Sequence, residues 1–126
     1  MHIVDQHRSS RGVAAQLTIL TGTSGDGSDL DYAHLAATPG TLVIFMGLKR
    51  LQHLADNLIF AGRDVDEPVA VISKLSLPDS QTRVGTLGTI AAVARGLESP
   101  SLIVIGDVVA SSAHLQAAVE QALRAA

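Results

Sequence analysis

A chain of 126 residues with 47% apolar side chains is enough for one compact core, and a formal charge of -3 gives no basic field for nucleic acid or an anionic membrane surface. There is no cysteine, which removes disulfides and thiolate metal sites and suits a reducing compartment. Aromatic residues make up only 2%, too few for a base-stacking surface. The first ten residues lack the apolar core of a signal peptide, and no run approaches the roughly 18 apolar residues of a membrane span. The expectation is a soluble, cytoplasmic chain with neither nucleic acid nor membrane as partner.

In chain order, residues 1–10 carry no periodic apolar pattern and are expected to form a flexible segment ahead of a single domain at 11–126. Residues 17–21 (LTILT) are apolar on both faces, the pattern of an inner strand in a covered sheet. A glycine-rich stretch, GTSGDGSD, then leads to a short helix over 30–37 with Ser28 or Asp29 as its cap. Residues 42–46 (LVIFM) form a second inner strand. Leu51, Leu54, Ala55 and Leu58 recur at helical spacing, and Gly62 stands where a left-handed C-cap falls. Residues 69–73 (VAVIS) and 102–105 (LIVI) are two more inner strands.

Between these two, residues 82–86 (TRVGT) alternate and carry Arg83, which fits a fifth strand at an edge or running the other way. A helix over 86–95 ends at Gly96. Leu115, Ala118, Val119, Ala122 and Leu123 mark a closing helix capped by Ser111 or Ser112. The predicted fold is α/β: a single three-layer domain with a mostly parallel five-stranded mixed sheet flanked by helices.

Parallel strands send their carboxyl ends to one crevice, where open α/β sheets bind ligands. Those ends carry Gly22-Thr23, Met46-Gly47, Ser73-Lys74 and Gly106-Asp107. The glycines either let main chain approach a ligand or simply let a strand turn, and Met46 is either core filler or a soft wall. TGTSGDG lacks the Gly-Lys-Ser/Thr ending of a phosphate loop and the glycine spacing of a dinucleotide fingerprint, so it is read as a turn. The five histidines include no i, i+4 pair, and GRDVDEP lacks calcium-loop spacing and is read as a solvated turn. No Gly-x-Ser-x-Gly elbow is present. No catalytic residue and no metal ligand is therefore assigned.

The segments RGVAAQLTILTG, GTLVIFMGL, PVAVI, VGTLGTI and SPSLIVIGDVV follow one another from about residue 9 to 109. In this order they resemble the C-terminal domain of the tetrapyrrole methylases, most closely the uroporphyrinogen-III C-methyltransferases. The resemblance implies a cleft for S-adenosyl-L-methionine between two α/β domains, on the way to siroheme and cobalamin, and a homodimer. It places Met46 and Gly47 in the cofactor wall. By position it adds a backbone contact at Leu75, where the family keeps glycine, and another at Ser101 after Ser99-Pro100.

Ser10, Thr23 and Ser80 replace the His, His and Gln common in the family. Arg11 and Arg8 either meet substrate carboxylates or are exposed surface arginines. The family's N-terminal domain, with its glycine-rich cofactor loop, has no counterpart in these residues. Contact with the tetrapyrrole substrate would run through that missing domain, and the chain alone is expected to supply one wall of the cofactor cleft, a partial site, without turnover. The alternative is a non-catalytic module for dimerisation or partner binding derived from that domain.

Overall fold

The computed structural model describes residues 3–7, 16–22, 29–75 and 77–125. Six strands form one sheet in the order β1-β2-β3-β6-β4-β5, comprising β1 (Ile3–His7), β2 (Gln16–Thr21), β3 (Thr41–Phe45), β4 (Pro68–Ser73), β5 (Gln81–Thr86) and β6 (Ser101–Ile105). The α/β class, the mixed sheet and the three layers stand as expected. Helices α1 (Tyr32–Ala37), α2 (Leu51–Phe60) and α3 (Ile90–Val93) cover one face, and α4 (Ser112–Ala125) covers the other.

Two parts of the expectation are corrected. The sheet has six strands rather than five, because Ile3–His7, inside the segment expected to be flexible, pairs antiparallel with β2 from Ile3↔Leu20 to His7↔Gln16. It is also mostly antiparallel: only β2 and β3 run parallel. β6 inserts antiparallel between β3 and β4, and β5 returns antiparallel along β4. Apolar residues on both strand faces report that helices cover both sides of the sheet. They do not report strand direction, and reading them as parallel confused the two.

The core divides accordingly. Leu42, Ile44, Val69, Val71, Ile103 and Ile105 face α1 to α3, where Leu51, Leu54 and Leu58 of α2 are buried among them. Each such leucine contributes about 1.5–3 kcal/mol by leaving water. Alternate residues Val43, Ala70, Leu102 and Val104 pack against Ala118 and Ala122 of α4. Helix ends follow local chemistry. Asp31, rather than Ser28 or Asp29, caps α1 by accepting from the His34 amide at 3.0 Å. Ser111 Oγ accepts from the His114 amide at 3.3 Å at the start of α4, and Gly62 sits beyond α2 with φ +123°. The helix expected over 86–95 shrinks to Ile90–Val93, because Thr86 remains in β5 and the chain turns through 87–89 before helical bonding begins.

Candidate functional site

Strand direction decides which loops meet. β2, β3 and β4 point the same way, so Gly22, Met46-Gly47 and Ser73-Lys74 share one end of the sheet with the first residue of β6, Ser101. Gly106-Asp107 is carried to the opposite end by the reversal of β6, and leaves the group in which the sequence placed it. Four predicted cofactor residues, Met46, Gly47, Leu75 and Ser101, therefore do come together at this end. Arg11, with Arg8, Thr23 and Ser76, lies outside the described residues.

The backbone here is unusual. Among the described residues only Met46 (φ 58°) and Lys74 (φ 54°) are non-glycine residues in the left-handed region, and each directly follows a strand flanking β6. A side chain in that conformation costs roughly 1–2 kcal/mol. Met46 is 66% exposed, so its thioether stands at the surface and fills no core gap. Gly47 is buried, and a Cβ there would come within 3.1 Å of Leu54, Ile103 and Ile44 side-chain carbons. Core packing therefore accounts for that glycine. Gly22 donates its N–H to the Phe45 carbonyl at 2.6 Å, and a Cβ on it would lie 2.6 Å from the Gly47 Cα.

On the far side of β6, the Leu75 amide donates to the Pro100 carbonyl at 3.1 Å, and its side chain packs with the α4 layer. Ser73 and Ser101 lie opposite one another. Ser73 Oγ donates to the Glu98 carbonyl at 2.7 Å and accepts from the Glu98 amide at 3.1 Å. Ser101 is 5% exposed, and its hydroxyl is the buried side-chain polar atom without a partner among the described residues. Lys74 Nζ donates to Asp79 at 2.7 Å and stands 3.7 Å from Glu98. The bond raises the Lys74 ammonium above its ordinary value and lowers the Asp79 carboxyl.

A polar network with no signature in the local residue pattern adjoins this end. Asp29 accepts from the Leu30 amide and the Tyr32 hydroxyl at 2.8 Å each and from Arg50 at 3.2 Å, and pairs with His53 Nε2 at 2.6 Å. Partial burial pushes the Asp29 carboxyl upward, but the bonds from His53, Tyr32 and Leu30 outweigh it and hold it far below the usual range. Burial and the Asp29 bond both push the Tyr32 hydroxyl upward. Arg50 also donates to the Gly22 carbonyl at 3.3 Å. Its partners are 21 and 28 residues away, so no local spacing could have announced the cluster.

Two concavities flank the ends of the sheet. A groove of about 570 Å³ runs beside the Met46 end between the 3₁₀ turn Leu48–Arg50, the start of α2 and the segment after α3. A larger cleft of about 760 Å³ lies at the opposite end, lined by Thr38, Gly40, Asp64, Asp66 and Asp107 among others. Arg63 at that cleft is already committed. It makes a two-pronged bond to Glu67 at 2.6 and 2.7 Å and donates to the Leu35, Thr38 and Gly40 carbonyls. GRDVDEP is thus a turn as expected, but one held by a buried ion pair rather than wholly solvated.

A family model described as tetrapyrrole (corrin/porphyrin) methylases matches residues 7–91. The chain belongs to the tetrapyrrole methylases. A "Siroheme synthase 2" of Aeromonas hydrophila is 45% identical over 85 residues, covering 68% of this chain and 18% of its own. A "S-adenosyl-L-methionine-dependent uroporphyrinogen III methyltransferase" of Methanosarcina barkeri is 39% identical over 105 residues, covering 82% of this chain and 41% of its own. The crystal structure of uroporphyrin-III C-methyl transferase from Thermus thermophilus complexed with S-adenosylhomocysteine superimposes with a TM-score of 0.70 at 29% identity, over 81% of this chain and 46% of that one. This tetrapyrrole methylase chain thus spans less than half the length of each of these relatives. No helix among its described residues is long and apolar enough to cross a membrane.

Proposed function

We propose that these residues form one wall of the S-adenosyl-L-methionine cleft of a uroporphyrinogen-III C-methyltransferase, with the opposite wall supplied by sequence corresponding to the remaining length of the relatives. The observation that carries the reading is the surface-exposed Met46 sulfur, held by a left-handed backbone at the same sheet end as Leu75 and Ser101. A soft, polarisable thioether suits an adenosyl face, and the Ser101 hydroxyl offers a hydrogen bond that none of the described residues takes up. The cofactor, when bound, supplies a methyl group activated on a sulfonium. The chain's own part is to bind and orient it, since close in-line positioning of the reactants can be worth about 7–11 kcal/mol of the barrier. A single wall cannot fix both reactants, so this stretch alone binds weakly and does not turn over.

Titration of isotopically labelled chain with S-adenosylhomocysteine at millimolar concentration tests this by NMR. Amide shifts confined to Met46, Gly47, Leu75 and Ser101 and their neighbours support it. Absence of shifts there, or shifts centred on Thr38, Gly40 and Asp64 at the other end, rejects the site. Methyl transfer to uroporphyrinogen III by the 126 residues alone would reject the single-wall reading.

A further inference from the structure

The groove beside Met46 has a charge pattern that the cofactor reading does not use. Among the described cations, Arg50, Arg63 and Lys74 are in ion pairs and Arg83 donates to the Val93 and Arg95 carbonyls. Lys49, Arg95 and Arg124 are left without an ion pair or side-chain hydrogen bond, and the first two line this one groove. Its walls are otherwise largely apolar, with Leu48, Leu51, Ala94 and Leu97 in the same lining as the two cations. Its carboxylate, Glu98, stands 3.7 Å from the Lys74 ammonium. An unpaired lysine and arginine are satisfied by water in the free chain, but a carboxylate brought between them gains charge-assisted bonds without first breaking any pair.

We propose that this groove is a subsite for a flat apolar ligand that carries several carboxylates, with Lys49 and Arg95 holding the acid groups and the leucine walls receiving the ring edge. About 570 Å³ accommodates one edge of a macrocycle rather than the whole. The proposal rests on the methyltransferase reading for the identity of the ligand, a carboxylated tetrapyrrole. Under that reading the groove orients one side of the substrate next to the Met46 wall. Lys49 and Arg95 are then substrate-positioning residues, separate from the cofactor contacts.

The test is a titration of uroporphyrin III, followed by its own fluorescence, with the full chain up to millimolar concentration. Saturable quenching is expected, weakening steeply with added salt and absent for the methyl-ester form of the porphyrin. The double substitution Lys49→Gln with Arg95→Gln should weaken binding at least tenfold while leaving the melting temperature and the S-adenosylhomocysteine shifts unchanged. Arg124→Gln, outside the groove, should leave binding as it is. No quenching by the wild-type chain, equal binding by the double variant, or equal loss with Arg124→Gln would overturn the proposal. Absence of the S-adenosylhomocysteine shifts in the wild type, with porphyrin binding intact and sensitive to Lys49 and Arg95, would instead sink the cofactor reading and leave the carboxylate-binding groove standing.

Discussion

The two ends of the sheet use their polar side chains differently. At the end where β2, β3 and β4 begin, Arg63, the cation lining the larger cleft, commits its donors to Glu67 and three carbonyls. At the other end, Met46 and Lys74 hold disfavoured backbone, and among the described residues Ser101 buries a hydroxyl without a partner and Lys49 and Arg95 line a groove unpaired. Cavity size alone would have pointed to the first end. Unmet local preference points to the second, because a fold that tolerates such costs at one place has something else to gain there.

The contrast can be broken most forcefully at Arg63. Its side chain is only 7% exposed, so Arg63→Ala leaves Glu67 and three carbonyls without their donor. A loss of about 3–5 kcal/mol in urea unfolding is expected. A loss below 1 kcal/mol would show that the clamp is decorative and that the two ends are not so different.

The facing serines sharpen the same comparison. Ser73→Ala forfeits both bonds to Glu98 and should cost about 1–2 kcal/mol, whereas Ser101→Ala removes a hydroxyl without a partner among the described residues and should be neutral or slightly stabilising. Equal losses by thermal unfolding would show that the Ser101 hydroxyl is in fact satisfied.

Met46→Gly should relieve the left-handed backbone and raise stability by up to about 1 kcal/mol, while reducing the S-adenosylhomocysteine shifts by removing the sulfur. A variant that is both less stable and unchanged in binding would remove the case for Met46.

The smallest effect is at Asp29. Its folded value is depressed, so its contribution is complete above the unfolded carboxyl value near 4 and fades as pH falls through that value toward the folded one. The side chain is 41% exposed, so solvent screening keeps the contribution below about 1 kcal/mol. Asp29→Asn should flatten the stability profile below pH 4 relative to wild type. Parallel acid profiles would assign the acid sensitivity elsewhere.

Much of the fold was open to reading from sequence because it depends on local periodicity. The runs 17–21, 42–46, 69–73 and 102–105 lie in strands except for Met46, which turns out of β3, and Leu51, Leu54 and Leu58 bury as their spacing required. Strand direction was not open to such reading, since β6 could enter between β3 and β4 either way without changing a single apolar residue. Residues 3–7 gave no signal either, because an outer strand needs hydrogen bonds to β2 more than an apolar pattern. For the site, the MGL segment and its resemblance led to Met46, Leu75 and Ser101, which the topology gathers. Arg50 with Asp29 and His53, and Lys49 with Arg95, unite positions distant in the chain, and only folding could reveal them.

The meeting of Gly22 and Gly47 bears on how mutational scans of this domain should be interpreted. Because a methyl group at 22 would collide with main chain, and one at 47 with three side chains beneath it, both positions should reject every substitution in a folding screen run with no ligand at all. Intolerance at those two codons measures steric exclusion between neighbouring chain segments, whereas intolerance that appears only under selection for activity marks the residues that touch small molecules.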